Sequence, residues 1–283
     1  MFQFIFSYIK AFFKKLVFTI KTILFLDKLN NYEMNGNVEK LSNLKFLKRT
    51  QLKVSFSNGR SIRGYSFDKN ISSDPIYKII LQISKGKSLK EIKNDFSKTL
   101  QIEKNSSAQD IVGLKNHEKL NKYPAWSYVL PWEKMDIDQK FNNYKKIQII
   151  KREEKSIENN YKNNFSKLTD LYSEEMVESQ VLQSKKLYEK IYKFGFIYKL
   201  GLPSFYILIK EKKWRWYVSQ GNHRSYTLHI LKHRFMKGTI ESIIDKKNAN
   251  LWPNVKNGLY NIKDAEKIFD CFFEGKGAIG PCI

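Results

Sequence analysis

Residues 214–244 constrain the fold more tightly than any other part of the chain. Trp214, Arg215, Trp216, Tyr217, Val218 and Ser219 form a run rich in aromatic and β-forming residues, which predicts a strand. Gly221 interrupts that run, and Asn222 is expected to cap the next element. Leu228, Leu231 and Phe235 recur at helical spacing, so a helix is expected over residues 224–235. Gly238 is expected to stop it, and residues 239–244, TIESII, predict a returning strand. Strand, glycine turn, helix and strand in this order point to a mixed α/β (α+β) fold. The polar cluster Gly221-Asn222-His223-Arg224 falls where the helix begins.

That position has chemical consequences. The first N–H groups of a helix lack partners within it, and the macrodipole places partial positive charge there. Together they make an anion site. Glycine has no Cβ, so a ligand can approach its backbone closely. Arg224 offers a planar fork for two phosphate oxygens. His223 donates a hydrogen bond or moves a proton near neutral pH, and the Ser225 hydroxyl is a further candidate contact. The expected occupant is a phosphate or a carboxylate. The plainer alternative is a solvated turn in which Asn222 caps, Gly221 turns and the charges face water.

Gly221-Asn222-His223-Arg224 resembles the GxxR box of the ParB/sulfiredoxin-like superfamily. Upstream, residues 186–196, KLYEKIYKFGF, resemble the family's helix and its glycine stop. Leu202-Pro203-Ser204-Phe205 with residues 206–209 resembles its proline-led strand, and residues 214–219 the hairpin partner. The resemblance spans residues 181–244, with the elements in the family's order. It implies a ParB/sulfiredoxin-like domain that binds a nucleotide or another phosphorylated ligand. Gly221 and Asn222 would form the backbone cradle, Arg224 a phosphate clamp, and His223 a hydrogen-bond donor or proton-transfer group. CTP or ATP with Mg2+ is the implied cofactor.

The departures from the family pattern matter as much. Sulfiredoxins place a reactive cysteine where this chain has Asn222, which argues against sulfinic acid repair. ParB-type CTPases carry an acidic residue in a GERR box, where this chain has Asn222-His223, so binding is implied more firmly than hydrolysis. Other members transfer a phosphoryl group to a small hydroxyl compound, which requires a metal and a carboxylate base. Glu189, Glu211, Glu241 and Asp245 are carboxylates that the sequence leaves unplaced.

Charge widens the choice of partners. The chain of 283 residues carries a formal charge of +23, which favours nucleic acid, anionic lipid or phosphorylated ligands. Only seven of its 51 basic residues are arginine, whereas readers of DNA sequence lean on arginine for bidentate base contacts. ParB partition proteins also append a helix-turn-helix, and the residues after Ile244 leave room for one clear helix, at 262–273. Cys271 and Cys282 supply neither a disulfide framework nor a metal quartet, which fits a reducing cytoplasm. His229 and His233 stand four apart with no carboxylate between them, so no metal site is expected.

The first 26 residues are apolar but interrupted by Lys10, Lys14, Lys15 and Lys21. No charge-free run there exceeds nine residues, far short of the roughly twenty that a spanning helix needs. Wound at helical period, Phe2, Ile5, Phe6, Ile9, Phe12, Phe13, Leu16 and Ile20 oppose a face of Gln3, Ser7, Lys10, Lys14 and Lys21. That pattern suits a helix lying in a membrane interface, with packing on the protein's own core or an atypical signal-anchor as the alternatives.

Between these ends, residues 52–56 and 62–67 alternate about Asn58-Gly59 and predict a β-hairpin. Asp74-Pro75 opens an expected helix through Ile83, and Ser88 another from Leu89 to Leu100. Lys85-Gly86-Lys87-Ser88 resembles the end of a phosphate-binding loop but lacks its earlier glycine and strand, so a helix-joining loop is expected. Residues 103–110 read as a mobile linker. The Pro-aromatic clusters at 123–126 and 130–133 predict an ordered, buried loop, or one lining a pocket beside the corner.

The expected organisation is an amphipathic segment at 1–26, a helical region with a hairpin at 27–135 and a polar connection at 136–180. The ligand domain comes next at 181–250, with a C-terminal helix and tail at 251–283. The expected function is binding of a phosphorylated ligand at the Gly221–Ser225 corner, with phosphotransferase or nucleotide hydrolase activity open. The protein would be cytoplasmic, held peripherally at the inner membrane face through residues 1–26. A non-enzymatic membrane- or partner-binding module is the first alternative, and a DNA-binding relative of ParB the second.

Overall fold

The structure is a computed structural model and describes residues 51–144, 173–197 and 201–277. It is a mixed α+β fold built on one five-stranded sheet. The strands are β1 (Gln51–Ser55), β2 (Gly59–Arg60), β3 (Ser204–Lys210), β4 (Lys213–Gln220) and β5 (Phe235–Asp245). The longer helices are α1 (Pro75–Ser84), α2 (Leu89–Lys104), α3 (Glu174–Phe194), α4 (Asn222–Ile230) and α5 (Ile262–Glu274). The spatial strand order is β1-β5-β3-β4-β2. β3 runs antiparallel to β4 and parallel to β5, β1 is antiparallel to β5, and β2 is parallel to β4.

The expected hairpin is not formed. Its first half is β1, paired with β5 at one sheet edge, while Gly59 and Arg60, between the two expected strands, form β2, paired with β4 at the other. Ser55 caps a short 3-10 turn over Phe56–Asn58, its hydroxyl accepting from Ser57 N–H. Gly59 is extended at φ −86°. It is needed for clearance, because a Cβ there would stand 2.4 Å from the Trp216 ring. Residues 62–67 instead form a loop beneath α5, with Gly64 at positive φ against the Phe272 ring.

This path forces the sheet to curl. Five strands laid flat would separate its edges by about 19 Å, at about 4.8 Å per interval. The three residues between Ser55 and Gly59 let their Cα atoms part by about 14 Å at most. Trp216 fills the curl: its indole N–H donates to the Ser55 carbonyl (2.7 Å), and its ring meets Phe56, Phe67 and Phe205.

Each face of the sheet carries a core. Phe205, Ile207, Trp216, Val218, Met236 and Ile240 pack with Tyr77, Ile80, Ile191, Tyr226 and Leu228 from α1, α3 and α4. Leu208, Tyr217 and Ile244 pack on the opposite side with Trp132, Tyr260, Phe269 and Phe272. Ile79, Ile92, Phe96, Val177 and Val181 join α1, α2 and α3 in a third cluster. Residues 51–60 and the C-terminal helix therefore share the sheet of the 181–250 segment and do not form bodies of their own.

Most helix boundaries agree with the local signals. Asp74 accepts N–H groups from Ile76 and Tyr77 ahead of Pro75, and Ser88 with Glu91 forms a capping box for α2. Lys85 to Ser88 is the loop between those helices. Gly195, at φ 72°, ends α3 as expected. The expected linker at 103–110 is ordered instead: α2 runs to Lys104, and Ser107 with Asp110 caps a single turn. The Pro-aromatic loop is ordered and buried, but it covers the sheet face away from α4. Trp132 N–H there donates to the Tyr217 hydroxyl at 2.8 Å. Cys271 on α5 is buried and disulfide-bonded, so a reducing cytoplasm loses the support that the cysteine count lent it. Residues 1–50, with the amphipathic segment, and 145–172 lie outside the described residues. Among the described residues no helix is long and apolar enough to cross a membrane.

Candidate functional site

The corner forms between β4 and α4. Gly221 sits in the left-handed region (φ 82°, ψ 32°) and holds the N-cap position. Asn222 is thus the first helical residue and not the cap, because the chain must reverse at a residue that tolerates positive φ. No side chain caps this helix, and Ser225 N–H is the first to find an acceptor, the Gly221 carbonyl at 3.0 Å. Among the described residues the N–H groups of Asn222, His223 and Arg224 find no backbone acceptor at this helix end.

Arg224 folds back over this opening. Its Nη1 donates to the Gly201 carbonyl at 2.5 Å. A Cβ on Gly201 or on Gly221 would meet the guanidinium at 3.0 Å, so both glycines make room for it. Arg224 makes no ion pair among the described residues, and its Nε and Nη2 remain available. A cation held by one carbonyl thus stands beside the positive end of a helix, with no carboxylate of the described residues paired to it.

Two further polar atoms of the corner's own residues lack partners among the described residues. Asn222 Oδ1 and His223 Nε2 are both shielded from solvent, and neither makes a hydrogen bond. Unpaired buried polar atoms cost about 1–3 kcal/mol each, so they are rare in folded proteins unless a ligand or water satisfies them. Burial lowers the pKa of His223, and the Asp74 carboxylate acts in the opposite direction. The imidazole is consequently held neutral at physiological pH, ready to donate or accept at Nε2.

Ser225 departs from expectation. It is fully buried, and its hydroxyl donates to the Gly221 carbonyl at 3.1 Å. It locks the turn and offers no contact to a ligand. The helix is also shorter than the apolar spacing implies, ending at Ile230. Phe235 opens β5 instead, and Gly238 lies inside that strand, where a Cβ would stand 2.4 Å from the Phe205 ring. His229 and His233 therefore share no helix face. His229 Nδ1 meets the Tyr77 hydroxyl at 3.0 Å, while His233 is exposed past the helix end.

The structure places the four open carboxylates away from the corner. Glu189 is on α3 near Lys185 (3.7 Å), and Glu211 is in the β3–β4 turn. Asp245 ends β5 and accepts from Lys247 N–H. A register shift of β5 against Phe205 and Tyr206 turns Glu241 toward the opposite face, where it accepts from the Tyr206 hydroxyl at 3.0 Å.

Asp74 is the residue that sequence reasoning missed here. Its carboxylate acts on His223, yet both oxygens are engaged: Oδ1 by Ile76 and Tyr77 N–H, and Oδ2 by the Tyr226 hydroxyl at 2.9 Å. The Asp-Pro pair marks it as a helix cap, and no local signal links it to residues about 150 positions later.

No family model, curated protein or solved structure matches the chain.

Proposed function

We propose that the Gly221–Arg224 corner, in a domain of ParB/sulfiredoxin-like type, binds the phosphate of a nucleotide or another phosphorylated small molecule. The observation that carries this reading is the Arg224 guanidinium, without an ion pair among the described residues, beside three helix-end N–H groups that find no acceptor among those residues. In the proposed complex the N–H groups of Asn222, His223 and Arg224 donate to phosphate oxygens, and Arg224 Nε and Nη2 donate to a second pair. His223 Nε2 and the Asn222 amide supply the remaining contacts. CTP and ATP, with Mg2+ carried on their own phosphates, are the first ligands to consider.

Binding is supported better than turnover. Phosphoryl transfer needs a base and a metal-holding carboxylate. Asp74, whose oxygens are both engaged, is the carboxylate that acts on His223. His223 is the residue proposed for any proton transfer. The DNA-binding alternative is less favoured because a ParB-type reader appends a helix-turn-helix, whereas α5 is the one long helix among the described residues after β5. Peripheral attachment at the cytoplasmic membrane face through residues 1–26 belongs to the same reading, and vesicle partitioning of the intact chain checks it.

Thermal unfolding with CTP, ATP, GTP and phosphorylated sugars, each with and without magnesium, tests the site. A ligand at a hundred times its Kd adds about 2.7 kcal/mol, a clear upward shift of Tm. Arg224→Ala is expected to remove that shift while leaving the unliganded Tm within a degree or so. A shift that persists in Arg224→Ala, or no shift with any ligand, would count against the reading.

A further inference from the structure

One edge of the sheet is a basic two-stranded ribbon. β1 pairs with residues 235–239 of β5 in an antiparallel ladder, and β3 joins β5 only from Thr239 onward. Leu52, Val54 and Met236 turn inward, into the core that holds Trp216 and Phe205. Gln51, Lys53, Phe235 and Lys237 alternate with them and are exposed on the other side. α5 and the Pro-aromatic loop cover that side of the sheet over β3 and β4, but their core takes in no residue of this ladder. The ladder contains no Asp or Glu.

Lys53 and Lys237 are direct partners in the register, so both leave the same face from Cα atoms about 4.5–5.5 Å apart. Like charges placed in this way destabilise a sheet. A lysine on an edge strand discourages pairing with another chain, which accounts for Lys53 on β1 but not for Lys237 on β5. Lys232 and Arg234, both exposed, lead into the ribbon and add to its charge. None of these four cations makes an ion pair among the described residues. Lys53 Nζ lies instead over the Phe235 ring, at 4.8 Å.

We propose that this ribbon docks on double-stranded DNA, its exposed face against the major groove and Lys53, Lys237, Lys232 and Arg234 paired with phosphates. The major groove of B-DNA is about 12 Å wide and admits a two-stranded β-ribbon. Four cations without a carboxylate among them complement its phosphates, and the facing lysines are relieved of their mutual repulsion there. A bilayer fits less well, because Phe235 is the one large apolar side chain on this face and an interfacial contact needs a broader apolar surface. A single strand also fits less well, because it calls for successive aromatic platforms. The ribbon supplies one ring, already engaged by Lys53. With one arginine among the four cations, the contact is to phosphates and independent of base sequence. It requires neither a helix-turn-helix nor an occupied Gly221–Arg224 corner.

Fluorescence anisotropy with the full chain and a labelled duplex of about 20 base pairs, between about 50 and 200 mM salt, tests the proposal. The chain carries many other lysines, so the decisive contrast is between variants of equal net charge. Lys53→Glu/Lys237→Glu is expected to weaken duplex binding at least tenfold at the lower salt. Lys90→Glu/Lys98→Glu, at exposed positions of α2, is expected to weaken it less than threefold. Lys53→Gln/Lys237→Gln is expected to lower the slope of log K against log salt by about 2, one for each phosphate contact removed. Because that variant removes facing like charges, its Tm should equal or exceed that of the wild type, which controls for folding. Equal losses in the two charge-reversed pairs would overturn the proposal, as would an unchanged salt slope or no duplex binding by the wild type. So would tighter binding of oligothymidylate than of the duplex, lost in Lys53→Gln/Lys237→Gln.

Discussion

Asp74 shows how one side chain can join distant parts of this chain. Its carboxylate is fully buried and accepts three hydrogen bonds, two from the first turn of α1 and one from Tyr226 on α4. The capping half is legible in sequence, because Asp before Pro at a helix start is a local signal. The half that reaches Tyr226 is not, since it depends on packing α1 against α4. Asp74→Ala is expected to cost about 3 kcal/mol, combining a lost cap of about 1 kcal/mol with a buried hydroxyl left without an acceptor. Tyr226→Phe removes only the hydroxyl and keeps the cap, and should cost about 1–2 kcal/mol. Urea unfolding of both variants checks the order, and equal losses would mean that the cap contributes nothing. The same contrast holds at the corner. Gly221 and Arg224 are readable as a turn and a cation, but the Gly201 carbonyl that orients Arg224 lies in a different loop.

At the level of the element, α4 shows where periodicity misleads. Leu231 and Phe235 keep helical spacing, yet the helix closes before them by a Schellman motif. His233 N–H reaches the Leu228 carbonyl (3.0 Å) and Lys232 N–H the His229 carbonyl (2.9 Å). Lys232 occupies the left-handed position at φ 66°, where glycine is the usual residue, so no compositional mark announces the stop. Phe235 is apolar for another reason: it lies 45% exposed at the start of β5, opposite Ser55, with Lys53 Nζ over its ring at 4.8 Å. Lys232→Gly should relieve the left-handed strain and raise stability by about 0.5–1 kcal/mol. For a chain of this size that corresponds to a Tm higher by about 1–3 °C in differential scanning calorimetry. A lower Tm would mean that the lysine side chain contributes packing or charge interactions worth more than the strain.

Across the whole molecule, the fold class is legible because strand and helix patterns alternate clearly in residues 174–274. The topology is not. Residues 52–56 and 62–67 carry a hairpin pattern, but the pairing is decided by Trp216, which occupies the curl of the sheet and takes the Ser55 carbonyl for itself. That arrangement packs His229 against Phe56, Phe67 and Tyr77. His223, at the start of α4, is half-buried and feels the Asp74 carboxylate. Burial lowers the pKa of both, with Lys232 acting in the same direction on His229. In the unfolded chain each histidine takes up a proton near pH 6.5, while in the folded state it does so only at lower pH. The unfolded state therefore binds more protons as the pH falls below about 6.5, and folding stability falls with it. The full contribution is present above that value. The slope is bounded at about 1.4 kcal/mol per pH unit for each histidine. Burial raises the pKa of Glu133, whose proton uptake acts with the opposite sign, so the difference between wild type and a histidine variant isolates the imidazole part. Urea unfolding at pH 7.5, 6.5, 5.8 and 5.0 should show a flat region and then a decline, and His229→Gln should make the decline shallower. A decline that His229→Gln leaves unchanged would mean that this imidazole takes up its proton in the folded protein as readily as in the unfolded chain, and that its site against Phe56, Phe67 and Tyr77 is open to water.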